Sequence, residues 1–129
     1  MLPDVDTDYL RETAPAHAVS VEAGVTCVVI PKFSLGNGFH QAESDLLLRL
    51  RPGYPDVAPD MWWFSPPVRR LDNAEIPATQ AREHHLGREW QRWSRHLPAG
   101  VWRPGIDGLE SYIAIVRREL AAAAPKVAA

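Results

Sequence analysis

The apolar positions of this chain change period along its length. Toward the C-terminus Ile106, Leu109, Ile113, Val116 and Leu120 recur at steps of 3, 4, 3 and 4, which puts them on one face of a helix. Asp107, with Glu110 three residues later, has the form of a capping-box start for that helix. The first half carries a different pattern. Residues 25–33 form a β-branched, apolar run, the mark of a buried strand. Residues 19–22, 44–50 and 60–64 read as shorter strands. Gly24, the turn Leu35-Gly36-Asn37-Gly38-Phe39 and the sequence Arg51-Pro52-Gly53 punctuate them. Residues 6–12 predict a short opening helix, with Asp6 or Thr7 as N-cap and Pro15 beyond its end.

Two stretches resist this treatment. Residues 71–83 have no period and read as an irregular surface excursion. Residues 87–97 are aromatic and basic, with neither a helical nor a strand repeat. The alanine-rich tail, 121–129, extends the last helix at its start and frays at its end. Helix, four strands, irregular segment, helix is the order of an α+β fold: a four-stranded antiparallel meander flanked by an N-terminal and a C-terminal helix.

Composition narrows the class. A chain of 129 residues, 46% hydrophobic and 23% charged, is expected to form a single globular domain, with its core at about 6–120. The net charge of −2 gives no bulk electrostatic footprint for nucleic acid. No apolar run is long enough to cross a bilayer, and the acidic N-terminus lacks a signal peptide's apolar stretch. A cytoplasmic protein is the expectation. The single cysteine, Cys27, lies in the apolar run Val25-Thr26-Cys27-Val28-Val29-Ile30, so it reads as a buried small hydrophobe. His84, His85 and His96 have no cysteine or dense carboxylate group beside them, so neither a metal nor a cofactor is expected.

The candidate chemistry lies in one spaced set. His84 is followed ten residues later by Ser94, and Ser94 eight residues later by Trp102, with Pro104 and the last helix next. Upstream stands Tyr54-Pro55-Asp56-Val57-Ala58-Pro59, between two strands. Together these resemble the skeleton of a ubiquitin-conjugating (UBC) domain, with its Tyr-Pro-x-x-Pro-Pro turn, His-Pro-Asn motif, catalytic cysteine and following Trp. The run 88–96 followed by Trp102 is similar to the divergent bacterial group called prokaryotic family E. Ala58 replaces one proline of the turn, His85 and Leu86 stand in place of Pro and Asn, and the nearest glycine is Gly87. A serine occupies the cysteine position.

The resemblance implies a UBC-like fold and a component of a bacterial ubiquitin-like conjugation pathway. Its partners would be a ThiF-like adenylating (activating) enzyme and a ubiquitin-like protein, with no nucleic acid and no membrane. Ser94 would be the acyl acceptor, forming an oxyester. Its hydroxyl needs an adjacent base, and His84 and His96 are the candidates. An extended Ser94-Arg95-His96 would put Ser94 and His96 on one side, and Arg95 or backbone amides could hold the oxyanion. Trp102 and Pro104 would shape the far wall. The alternative is a non-catalytic UBC variant that binds the activating enzyme or the ubiquitin-like protein. A third reading is an unrelated small α+β binding domain.

Overall fold

The computed structural model describes residues 2–126, so the end of the alanine-rich tail lies outside the described residues. Two helices, α1 (Asp4–Thr13) and α2 (Leu109–Ala123), enclose six strands in the sequence: β1 (Ala18–Glu22), β2 (Val25–Ser34), β3 (Glu43–Leu50), β4 (Trp62–Ser65), β5 (Arg82–His85) and β6 (Arg88–Trp93). All neighbours are antiparallel, in the order β1-β2-β3-β4-β6-β5. The expected α+β class holds, but the sheet has six strands and not four.

The two additional strands have a physical reason for escaping notice. In β6, Trp90 and Trp93 face opposite sides of the sheet and both are buried. A strand buried on both faces shows no alternation. In β5, Arg82, Glu83, His84 and His85 are all polar, because this edge strand is paired on one side only and carries its apolar neighbours on β6.

Strand pleating sorts the core into two parts. Val28, Ile30, Leu46, Leu48, Trp62, Phe64 and Trp93 face the helices and pack on Leu10 of α1 and on Leu109, Ile113, Val116 and Leu120 of α2. The opposite face carries a smaller apolar set, Cys27, Leu47, Trp63 and Trp90. That face is concave. β1 and β5 are opposite edges of the sheet, yet Glu22 at the end of β1 accepts a bond from the backbone N–H of Leu86 at 2.8 Å. The sheet therefore curls until its far corners touch. Both corners are two-residue hairpin turns with positive φ, Ala23-Gly24 and Leu86-Gly87, the turn geometry that suits twisted strands.

Helix starts differ from the sequence expectation. α2 begins at Leu109 with Gly108 as N-cap, so Ile106 lies in the preceding turn and is 70% exposed. Asp107 does not cap α2; its carboxylate accepts the Arg103 N–H at 2.7 Å. Asp6 and Thr7 do not cap α1, whose N-cap is Pro3. Asp6 is buried and turned toward α2. Its carboxylate accepts the Leu109 N–H at 3.0 Å and the Tyr54 hydroxyl at 2.6 Å. An orphan N–H at the start of one helix is thus satisfied by a side chain of the other.

Candidate functional site

Ser94 follows β6 directly and is half-buried. Its N–H donates to the Ala78 carbonyl at 3.0 Å, and its hydroxyl accepts from Arg92 Nε at 3.0 Å. His84 is exposed on β5, paired with Glu89. Ser94 lies five residues further along the neighbouring strand, on the order of 17 Å at ~3.3 Å per residue, so the structure does not bring these two together. His96 is close in sequence, but its Nδ1 bonds Asp60 Oδ1 at 2.7 Å and its side chain is 64% exposed. Neither imidazole hydrogen-bonds the Ser94 hydroxyl. Arg95 does not bond that hydroxyl either: it lies over the Trp93 ring, bonds Glu119 of α2 at 2.9 Å, and donates from Nη1 to the Ser94 backbone carbonyl at 3.2 Å.

The side chains that do meet were not singled out by the sequence. Arg92 bonds Glu83 Oε2 at 2.8 Å, and Glu83 Oε1 accepts from Trp63 Nε1 and His85 Nε2, each at 2.9 Å. The other nitrogen of His85 stands 3.6 Å from Glu22. A polar chain therefore runs from Ser94 through Arg92, Glu83 and His85 to the far edge of the curled sheet. A spacing of two gives the signal that could have found it. Glu83 and His85 share one face of β5, and Trp90, Arg92 and Ser94 continue one face of β6.

Burial pushes the Glu83 carboxyl up, but the bonds from His85, Trp63 and Arg92 outweigh this and hold it below the usual carboxylate range. A depressed folded-state value contributes stability above the ordinary carboxylate pKa, and that stability is lost as pH falls through the folded value. Urea midpoints measured at neutral and at acid pH should therefore differ less in Glu83→Gln than in the wild type. An equal pH dependence in the two proteins would show that Glu83 plays no part.

The turn and the tryptophan do meet. Trp102 Nε1 donates to the Pro55 carbonyl at 2.8 Å, and its ring packs on Tyr54 and Tyr112. Pro104 sits exposed in the turn before α2. Burial, with the bond to Asp6, pushes the Tyr54 hydroxyl far up, so it stays a donor. The model of prokaryotic E2 family E matches residues 2–123. The chain belongs to prokaryotic E2 family E. No curated protein and no solved structure matches it.

Membership makes this family E protein a prokaryotic E2-like conjugation component. Its one cysteine, Cys27, is fully buried in β2. The His84-His85-Leu86 segment of the family E protein ends β5 and enters the hairpin tip. Among the described residues no group of three or more histidine, cysteine or acidic side chains is arranged to hold a metal ion. None of the described helices is long and apolar enough to cross a membrane.

Proposed function

We infer that this family E protein acts as a non-catalytic E2-like docking subunit of a bacterial ubiquitin-like conjugation pathway. It binds the ThiF-like activating enzyme or the ubiquitin-like protein without carrying the acyl group. One observation carries this reading: the Ser94 hydroxyl is bonded to the Arg92 guanidinium, not to a base. A guanidinium cannot take the proton that a serine nucleophile must lose. The only thiol is inside the sheet.

A second reading has its own support. The same guanidinium would favour a negative oxygen at Ser94. His96, with Nδ1 fixed by Asp60, is two residues away and accessible. A swing of that ring would make it the base, with His84 taking no part. Ser94 would then carry an oxyester that survives thiol reductant and is lost in mild hydroxide.

Reconstitution with the activating enzyme, the ubiquitin-like protein and ATP separates the two. The docking reading expects binding to one of these partners and no mass increase on the family E protein while the activating enzyme is charged. An adduct abolished by Ser94→Ala, and turned reductant-sensitive by Ser94→Cys, would replace it with the carrier reading. Neither binding nor adduct would end both.

A further inference from the structure

Of the fourteen arginines and lysines, six form an ion pair among the described residues. Arg11, Arg70, Arg88, Arg92, Arg95 and Arg103 each bond a carboxylate. Arg117 and Lys32 form no ion pair among the described residues, and they stand together at one groove. Its first part is a cavity of about 370 Å³ between the end of α1, the end of β2 and α2. Its second part, about 510 Å³, continues beside the last turns of α2. The two adjoin at Ser34 and Arg117. Each is of the size of a ligand site.

The floor is apolar: Ile30, Phe33 and Ile113 in the first part, Leu35 and Leu120 in the second, all buried. The rim is basic. Arg117 lies over the Phe33 ring at 5.2 Å, which holds the guanidinium in place over the floor. Lys32 projects from an irregularity in the β2–β3 pairing, with φ of 53°. A bulge of this kind re-aims a side chain out of the ladder. The ring of His17 is fixed by the Ala14 carbonyl at 2.7 Å. No aspartate or glutamate lines either part. Asp45, behind the rim, accepts the Lys32 backbone N–H and is already paired with Arg88, and Glu43 stands opposite Ser34 in the β2–β3 pairing.

We propose that this groove binds an extended acidic peptide segment of a partner protein, its apolar side chains on the floor and its carboxylates on Arg117 and Lys32. From Ile113 to Ala123 the helix wall is about 15 Å long at ~1.5 Å per residue, room for about five extended residues. A surface with an apolar floor and two cationic groups suits alternating side chains of this sort. It offers no continuous track for a phosphate backbone. Ser94, His84 and His96 do not line it, so the inference stands or falls apart from the acylation question.

The test titrates the full chain with the capped peptide Glu-Leu-Glu-Leu-Glu, whose leucines share one face when extended, and follows backbone amides by NMR. Amides of residues 30–38 and 113–121 should shift. Replacing the glutamates by glutamines, or making Arg117→Glu, should weaken binding about tenfold, as loss of a charge-assisted contact does. Lys32→Glu should weaken it as well, and Arg11→Glu, outside the groove, should leave it unchanged. A well-dispersed spectrum of each variant shows that it remains folded. Shifts elsewhere, equal binding of the glutamine peptide, or a stronger response of the same amides to oligo-dT would overturn the proposal, the last in favour of nucleic acid.

Discussion

Replacing Asp6 by alanine should cost about 2–4 kcal/mol of folding stability, read as a lower urea midpoint. The carboxylate is 2% exposed and accepts from two groups, the Leu109 N–H and the Tyr54 hydroxyl. Removing it leaves the buried Leu109 N–H and the half-buried Tyr54 hydroxyl without this partner and uncaps α2. Gly108 supplies a control. A Cβ there would meet Asp6 Oδ1 at 2.8 Å, although its φ of −158° is open to any residue. Gly108→Ala should therefore destabilise on its own. The double variant should lose less than the sum, because the clash disappears with the carboxylate. Simple additivity would mean that the two residues do not act through each other.

Trp62→Ala should have the other large effect, about 3–5 kcal/mol, as aromatic core truncations do. The ring is 1% exposed, stacked on Trp93 at 6.3 Å and edge-on to Tyr112 at 5.9 Å. Its N–H has no hydrogen-bond partner among the described residues, whereas that of Trp63 donates to Glu83. This difference sets an order for the milder change. Trp62→Phe should cost less than Trp63→Phe, because the second leaves Glu83 short of a donor. The reverse order in chemical denaturation would remove the Glu83 bond from the account.

The first half of the fold could be read from residue pattern because β1 to β4 follow ordinary rules of strand and turn. The helical face of α2 was equally legible from Leu109 onward. What escaped is non-local. β6 hides its period by burying Trp90 and Trp93 on opposite faces. Asp6 has the look of a local cap, but its bond partner lies 103 residues away, a distance at which spacing carries no information. The site suffered in the same way. His84 and Ser94 have a suggestive separation in sequence, but the β5–β6 hairpin sends them apart along neighbouring strands. The side chains near Ser94 come from alternation along β6 and from its pairing with β5, so they appear only once those strands are recognised.

The joined corners of the sheet have a consequence for how the molecule opens. Most hairpin tips exchange their amide hydrogens freely, since they open without disturbing the rest of a domain. Here the Leu86 N–H is held by Glu22, which belongs to the strand at the other edge of the sheet. The tip releases that hydrogen only when the Glu22 carboxylate lets go. Amide exchange at Leu86 is therefore governed by a side chain 64 residues away in sequence, and protection at this tip reports contact between the two corners of the sheet.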